Sequence, residues 1–190
     1  MGKGKILLIL LWVVLLVLSF SVDNNASVFA ESLKNPFLDG FMSWITYFGN
    51  VFVVLIVITS LFLWEEKKRE WIPTLWSSFI ASIGVGLVLK WIIARPRPMT
   101  ELVYAITALN YSFPSTHATA AFAALPILDK EFPKFKWFWI LFAVLVAVSR
   151  VYIGVHYLSD VIAGALLGYL IGYLFVYIEE KYKLFRKVRG

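Results

Sequence analysis

The sequence predicts an all-α integral membrane protein, built as a bundle of six transmembrane helices. Of its 190 residues, 61% are hydrophobic and only 16% are charged, which leaves too few polar side chains to cover a soluble domain. Six apolar runs separated by short polar segments follow one another along the chain. Because no linker rich in Gly, Ser or Pro divides them, we expect residues 1–190 to form a single membrane domain.

The six runs are assigned on the basis that about 20 apolar residues cross a bilayer. They cover residues 6–22, 41–64, 71–93, 115–128, 137–153 and 156–178. The fourth run is the shortest of them. Since the connections between the runs are brief, neighbouring helices are expected to pack antiparallel.

The first run has two interpretations. Lys3 and Lys5 precede it and the small-residue segment 28–30 follows it, which is also the pattern of a cleavable secretory signal peptide. We expect a retained first span, and the signal peptide stays open as the alternative. The polar residues 23–39 are expected on the outer side, as an interfacial helix or a simple connector.

The distribution of basic residues predicts the orientation in the membrane. Most of the 18 Lys and Arg residues fall on one side of the predicted bundle, and these are Lys3, Lys5, Lys67, Lys68, Arg69, Lys130, Lys134, Lys136, Lys181, Lys183, Arg186, Lys187 and Arg189. By the positive-inside rule this side, with both chain termini, faces the cytoplasm. Because these residues stand in short clusters between apolar runs, the net charge of +6 indicates topology and argues against nucleic-acid binding.

The remaining basic residues are Lys34, Lys90, Arg95, Arg97 and Arg150. Four of these five lie at or near the outer ends of predicted helices, where the insertion rule disfavours them. A single residue of this kind would extend its charged end to the interface. Four together are better explained by an anion that they bind.

Two histidines occur in the chain, and both fall in the predicted outer layer. His156 and Asp160 stand four residues apart on the predicted sixth helix, so they share one face within hydrogen-bond reach. A carboxylate inside the membrane is costly without a partner. If Asp160 accepts a hydrogen bond from one imidazole nitrogen, the other nitrogen is left as a nucleophile. The alternative is an ordinary helix pair, or a cap on the loop after Gly154.

The other histidine follows a helix-start signal. Pro114 ends the preceding segment, and Ser115 is a good N-cap for the fourth helix. Unpaired backbone N–H groups at this helix start form an anion site, to which the Ser115 hydroxyl adds a donor. His117, in the first turn, is placed to protonate a leaving oxygen once a bound phosphate dianion offsets the helix dipole. A simple capping motif is the alternative.

Lys90, Arg97 and Arg150 are the candidate phosphate ligands. Guanidinium groups bind phosphate through two parallel hydrogen bonds, and lysine adds a point charge. Arg150 and His156 cannot share a continuous helical face, because six residues rotate by about 240°. Gly154 lets the chain break between them, so that both can face one ligand.

Three segments of the chain resemble the signature motifs of the type 2 phosphatidic acid phosphatase superfamily. They are Lys90-x6-Arg97-Pro98, Pro114-Ser115-Thr116-His117 and Ser149-Arg150-x5-His156-x3-Asp160. Their order and internal spacing are similar to the family's, and the resemblance extends over most of the chain from the second span onward.

The resemblance implies a role for each matching residue. His156 would be the nucleophile that forms a phosphohistidine, Asp160 its orienting partner and His117 the general acid. The phosphoryl oxygens would be bound by four side chains and one backbone N–H, those of Lys90, Arg97, Ser115 and Arg150 and that of Thr116. The family uses no metal and no cofactor, so none is expected here.

Two positions depart from the family pattern or duplicate it. The family usually has glycine where this chain has Thr116, and a β-branched residue restricts how closely the backbone approaches phosphate. Because Thr116 keeps its N–H, we expect a change in fit or leaving-group preference and not a loss of activity. Arg95 also precedes a proline, but the six-residue interval selects Arg97. Arg95 is expected to bind a second phosphate or a lipid headgroup.

The resulting hypothesis is a multi-pass plasma (inner) membrane enzyme that hydrolyses a lipid phosphoester or diphosphate at its extracytoplasmic face. A site at the outer helix ends is open to headgroups that slide between helices. The candidate substrates are isoprenoid diphosphates, which we favour, phosphatidylglycerophosphate and phosphatidic acid.

Other functions remain as alternatives. One is a lipid phosphotransferase or lipid A phosphatase, and the other is a non-catalytic lipid-binding or transport bundle. Transporters usually place ionisable residues near the bilayer midplane, whereas here they gather at one surface, which argues against transport.

Overall fold

The computed structural model describes residues 3–98 and 107–185, and all regular structure within these ranges is helical. The α-helices of these ranges are α1 (Lys3–Ser32), α2 (Pro36–Thr46), α3 (Phe48–Phe52), α4 (Thr59–Glu65), α5 (Trp71–Ile93), α6 (Thr116–Glu131), α7 (Lys136–Tyr152) and α8 (Leu158–Tyr182). A π-helical segment, Val53–Ile58, joins α3 to α4. Short 3-10 turns cover Thr107–Asn110 and Pro133–Phe135. The predicted all-α class is confirmed.

Helix α6 lies at the centre of the bundle. Every residue from Ala118 to Leu128 is buried, and α5, α7 and α8 pack around it. Alanine is frequent in this helix, and small side chains let membrane helices approach one another closely. The fourth predicted run is therefore a helix, and it is enclosed by its neighbours.

The contact between α6 and α8 depends on glycine. A β-carbon at Gly168 would lie 2.1 Å from the carbonyl oxygen of Thr119, and one at Gly172 would lie 2.1 Å from that of Ala123. Because residues four apart share one helical face, the backbone of α8 lies directly against α6 along this stripe. Small residues at this spacing are typical of closely packed membrane helices.

Four helices in the described ranges have the length and hydropathy of a membrane span, and they are Ile9–Ser32, Trp71–Ile93, Pro133–Tyr152 and Leu158–Tyr182. A fifth candidate is a bent pair formed by Pro36–Thr46 and Asn50–Glu65. Helix α6 has 16 residues and is shorter than these. The structure thus has four or five candidate spans, where the sequence predicts six.

The first two helices differ most from the predicted boundaries. Helix α1 continues to Ser32, past the predicted end at residue 22. It does so because Asp23, the first polar residue after the apolar run, is buried and has partners inside the bundle. The predicted second span is broken at Tyr47, where α2 ends. Helix α2 itself begins within the predicted connector, after the N-cap Asn35.

Several of the predicted cytoplasmic clusters lie together at one end of the bundle. Lys68 donates a hydrogen bond to the carbonyl oxygen of Glu131 at 2.8 Å, and Lys130 forms an ion pair with Glu180 near the end of α8. The side of the membrane that this end faces stays a prediction. Part of the basic tail on which that prediction rests lies outside the described residues, namely Arg186, Lys187 and Arg189.

Candidate active site

At the other end of the bundle, residues of α5, α6 and α7, of the segment between α5 and α6 and of the turn after α7 surround a cavity of about 290 Å³. Its lining is formed by Ile83, Leu87, Arg97, Leu109, Thr116, His117, Arg150 and His156. Five of the eight predicted site residues are among these. The other three, Lys90, Ser115 and Asp160, are completely buried. The structure thus brings both histidines and two of the predicted cationic ligands to one cavity.

His156 lies in a turn between α7 and α8. Helix α7 ends at Tyr152, and Gly154 has a φ of 77°, a left-handed conformation that favours glycine. The chain therefore breaks between Arg150 and His156, as predicted. The expectation that His156 lies on the sixth helix is wrong, because α8 begins at Leu158.

Asp160 lies in the first turn of α8 and supports this turn. Its Oδ2 accepts a hydrogen bond from the backbone N–H of Tyr157 at 2.9 Å. The same oxygen lies 3.4 Å from Nδ1 of His156, which is longer than a usual hydrogen bond. The carboxylate therefore makes the capping contact that the sequence left as an alternative, and it also lies beside the imidazole. Its role in orienting His156 stays a prediction.

The start of α6 carries the predicted cap. Ser115 has an extended backbone, and its hydroxyl accepts a hydrogen bond from the N–H of Ala118 at 3.5 Å. The N–H of Ser115 donates to the carbonyl oxygen of Asp160 at 3.0 Å, which ties the start of α6 to the start of α8. Thr116 and His117 follow this cap, and both line the cavity.

Arg97 lies beside His156. Its guanidinium donates hydrogen bonds to the carbonyl oxygens of Val155 and Leu109, each at 2.7 Å. Its Nη1 also lies 3.4 Å from Nε2 of His156. These contacts place a fixed positive charge next to the imidazole nitrogen that points away from Asp160.

Arg150 and Lys90 are held by different parts of the chain. Arg150 donates a hydrogen bond to Oγ1 of Thr46 at 2.7 Å, so the end of α2 contributes to the site, a contact that sequence analysis missed. Lys90 donates to the carbonyl oxygens of Tyr111 and Ser112 at 2.6 and 3.0 Å. Lys90 thereby holds the segment that leads into α6.

Arg95 makes contacts that the sequence did not indicate. Its guanidinium donates hydrogen bonds to the carboxylates of Asp160 and Asp23, at 2.7 and 2.8 Å, and to Oγ of Ser159 at 2.7 Å. These protein groups take the place of the phosphate or lipid headgroup that we expected at Arg95. Asp23 was missed because its partners are far away in sequence. The one signal was an ionisable residue adjoining an apolar run.

Thr116, which replaces the family's glycine, packs against a glycine of the neighbouring helix. A β-carbon at Gly86 of α5 would lie 3.1 Å from Cγ2 of Thr116. The additional methyl group at position 116 is therefore accommodated by the missing side chain at position 86. Because Thr116 also lines the cavity, the size of its side chain still limits the space that a substrate would occupy.

The surroundings of His156 favour its neutral form. Burial lowers the pKa of His156 well below the usual value of 6.5, and the positive charges of Arg150, Lys90 and Arg97 lower it further. A neutral imidazole has an unshared electron pair on one nitrogen. His156 is thus in the protonation state that a nucleophile requires.

Comparisons with known proteins identify the family of this chain. The sequence model of the PAP2 superfamily matches residues 71–183. The chain is 38% identical over 149 residues to an undecaprenyl-diphosphatase of Sulfolobus acidocaldarius, which covers 75% of this chain and 71% of the relative. It is 30% identical over 186 residues to phosphatidylglycerophosphatase B of Bacillus subtilis, with 88% of each chain covered.

A solved structure is similar over nearly the whole chain. The crystal structure of a transmembrane PAP2-type phosphatidylglycerolphosphate phosphatase from Bacillus subtilis superposes with a TM-score of 0.73 at 29% sequence identity. The match covers 93% of this chain and 96% of that one. The family that the three motifs predicted is confirmed: the chain belongs to the PAP2 superfamily and is a membrane phosphatase of that family.

Proposed function

We propose that this phosphatase removes phosphate from the headgroup of a membrane lipid through a phosphohistidine formed on His156. One observation carries the proposal, which is that His156 and His117 line the same cavity as the guanidinium groups of Arg97 and Arg150. Two histidines allow one to act as nucleophile and the other as acid and base. The two arginines supply positive charge for the phosphoryl oxygens.

In the first step, Nε2 of His156 attacks the phosphorus atom. The bond between phosphorus and the leaving oxygen breaks, and His117 donates a proton to that oxygen. Nε2 is the attacking nitrogen because Nδ1 faces the Asp160 carboxylate at 3.4 Å. Asp160 would then hold the protonated Nδ1 and stabilise the positive imidazole of the phosphohistidine.

In the second step, water replaces the lipid. His117, now without its proton, accepts one from the water as the oxygen attacks phosphorus, and the bond between phosphorus and His156 breaks. Inorganic phosphate leaves and the neutral imidazole is restored. Arg97, Arg150 and the N–H of Thr116 would stabilise the equatorial oxygens in both steps. Lys90 and Ser115 are buried and do not line the cavity, so we propose that they act on the phosphate indirectly, Lys90 by holding the segment that leads into α6 and Ser115 by capping α6.

We further propose the full six-span topology, with both termini in the cytoplasm and the active site on the extracytoplasmic face of the plasma membrane. Helix α6 would be a span despite its length of about 24 Å, because its neighbours enclose it and satisfy its ends. It runs from the cavity to the end of the bundle where Lys130 pairs with Glu180. The clustering of basic residues at that end supports its cytoplasmic placement.

The substrate class follows from the position of the cavity and from the relatives. Apolar side chains of Ile83 and Leu87 line the cavity beside its charged groups, which suits a phosphate attached to an apolar molecule. Relatives named for undecaprenyl diphosphate and for phosphatidylglycerophosphate support a lipid substrate. Among these lipids we favour an isoprenoid diphosphate.

A substrate panel tests this proposal. Purified protein in detergent should release inorganic phosphate from undecaprenyl diphosphate, phosphatidylglycerophosphate or phosphatidic acid, and faster than from glycerol phosphate. Release should be the same with EDTA, because the proposed steps use only side chains of the chain. Absence of release from every lipid, or its loss on chelation, would contradict the proposal. A mass balance in which phosphate appears on a second lipid would identify a phosphotransferase instead.

The pH dependence provides a separate test. Because burial lowers the pKa of His156 below 6.5, the imidazole stays neutral and nucleophilic as the pH falls to mildly acidic values. We expect the acidic limb of kcat/KM, which reports on the free enzyme, to lie below pH 6.5 after correction for titration of the substrate. A corrected limb at or above this value would show that His156 is protonated too readily for the proposed role.

A further inference from the structure

A carboxylate of the first helix reaches the start of the helix that carries Asp160. Asp23 of α1 is 4% exposed. Its Oδ1 accepts a hydrogen bond from the backbone N–H of Ser159 at 2.8 Å, and its Oδ2 accepts one from the Ser159 hydroxyl at 2.6 Å. An acidic group at a helix N-terminus is favourable, since it satisfies an N–H and complements the helix dipole. Asp23 of α1 thus caps the N-terminus of α8, although it belongs to a different helix.

Arg95 joins this cap to Asp160. Its Nη2 donates to Oδ2 of Asp23 at 2.8 Å, and its Nη1 donates to Oδ1 of Asp160 at 2.7 Å. The guanidinium also lies over the ring of Tyr157, 4.0 Å from its centre. The N–H of Ser112 donates to the carbonyl oxygen of Arg95 at 2.8 Å and holds its backbone. Arg95 is therefore held at both terminal guanidinium nitrogens, by the ring of Tyr157 and at its backbone.

We propose that Arg95 and Asp23 are positioning residues for the phosphatase reaction, which hold the Asp160 carboxylate against His156 from the side away from the cavity. This inference rests on the proposed role of His156 as nucleophile. Neither residue lines the cavity, so neither is placed to touch the substrate phosphate.

The two carboxylate oxygens of Asp160 explain how such positioning works. Arg95 binds Oδ1, while Oδ2 accepts the N–H of Tyr157 and lies 3.4 Å from Nδ1 of His156. With Oδ1 bound, rotation of the carboxylate would break a charge-assisted hydrogen bond. Oδ2 is thereby kept on the side of the imidazole, where it can hold the proton on Nδ1.

The charge of the cluster fits the same role. Asp23 and Asp160 bring two negative charges to one guanidinium, so their cluster with Arg95 has one negative charge in excess. This excess lies beside His156, whose ring becomes positive when it carries the phosphoryl group. Because Arg95 also binds Asp23, it neutralises less of the negative charge of Asp160 than it would in an ion pair with Asp160 alone.

Helix α1 is attached near the site by this cluster and by the stacking of Phe20 on Phe113, whose ring centres lie 6.0 Å apart. An apolar cavity of about 560 Å³ lies between α1, α7 and α8, with Ala26 and Ala30 of α1 in its lining. Apolar packing is thus incomplete on the face of α1 that also carries Asp23. A buried carboxylate in a membrane helix is costly unless paired, and here Arg95 and Ser159 provide its partners.

Three variants test the positioning role. Asp23→Asn keeps the side-chain shape but removes the negative charge. Arg95→Gln removes the positive charge. Arg95→Lys keeps the positive charge but lacks the two terminal guanidinium nitrogens that bind the two carboxylates. We expect kcat to fall by about 10- to 100-fold in the first two, with a partial recovery in Arg95→Lys. KM should change by less than about threefold, because the charged groups that line the cavity stay in place.

The matched control is Glu31→Gln. It also replaces an acid by an amide on α1, but Glu31 is exposed and pairs only with Lys34 among the described residues, at 2.5 Å. Its kcat and KM should equal those of the wild type. Inhibition by inorganic phosphate, which binds without a bond to His156, and thermal unfolding, measured on every variant, separate positioning from folding: positioning variants should bind phosphate as the wild type does.

The outcomes are distinct. An unchanged kcat in Asp23→Asn and Arg95→Gln, with an active wild type, would overturn the positioning role and leave the proposed function intact. A fall in kcat no larger than the fraction of protein that is unfolded or that no longer binds phosphate would overturn it as well. A wild type that releases no phosphate from any lipid would instead contradict the proposed function. If Asp23→Asn does not fold, Arg95→Lys decides by the same split between kcat and KM.

Discussion

Replacement of His156 by alanine is expected to lower kcat for phosphate release by about 10⁴-fold or more. The reason is that no other imidazole in the chain lies where His156 does, between Arg97 and Asp160. No phosphoenzyme should form in this variant. It should be measured by phosphate release and by trapping of labelled protein after rapid quenching in base, in which phosphohistidine survives.

His117→Ala serves as the comparison, because it should separate the two steps. With a lipid substrate the first step slows, since the leaving oxygen receives no proton. With p-nitrophenyl phosphate the leaving group needs little protonation, so the variant should form phosphoenzyme and then hydrolyse it slowly. Phosphate release from His156→Ala at the wild-type rate would remove His156 from the mechanism. Equal behaviour of both substrates in His117→Ala would remove the acid role of His117.

A second large effect is expected at Gly168, which has no direct contact with the proposed substrate. In Gly168→Ala the new β-carbon would lie 2.1 Å from the carbonyl oxygen of Thr119. Because this contact is with the backbone of α6, it can be relieved only if α6 and α8 move apart. We expect a loss of about 3 kcal/mol in the free energy of unfolding, at the upper end for overpacking. Thermal unfolding in detergent should show the decrease, and activity should fall with it.

Gly84→Ala is the control for this prediction. It makes the same chemical change inside a helix, but no atom lies within 4 Å of the β-carbon position at Gly84. Because alanine favours the helical conformation, this variant should be unchanged or more stable by up to about 1 kcal/mol. Equal unfolding temperatures for Gly168→Ala and Gly84→Ala would show that α8 does not lie as close to α6 as the structure has it.

The helix boundaries illustrate what sequence patterns can and cannot predict. Helix α5 covers Trp71–Ile93, as predicted from hydropathy, because its apolar run ends just before Pro96, and proline disfavours a continued helix. Helix α1 runs past its apolar residues to Ser32, because the polar residue Asp23 finds partners in α8 and in the loop after α5. A hydropathy profile does not include contacts with residues that are far away in sequence.

In the candidate active site, too, the sequence predicted local features and missed contacts between distant residues. The three motifs predicted eight site residues, of which five line the cavity, because each motif lies within one short segment of the chain. The contact of Thr46 with Arg150 joins positions 104 residues apart, and that of Asp23 with Ser159 joins positions 136 apart. Pairs this distant have no local pattern, so sequence reasoning assigned Arg95 to a second phosphate or a lipid headgroup and left Asp23 in the polar outer segment 23–39.

The sequence by itself thus determined the all-α membrane class, the family and the residues proposed to carry the chemistry, since composition and short spacings are local properties. Only the tertiary structure decided that His156 lies in a turn before α8, that Gly86 accommodates Thr116, and that α1 supports Asp160 through Arg95. These depend on which helices meet, and that choice is made by the packing of whole helix faces.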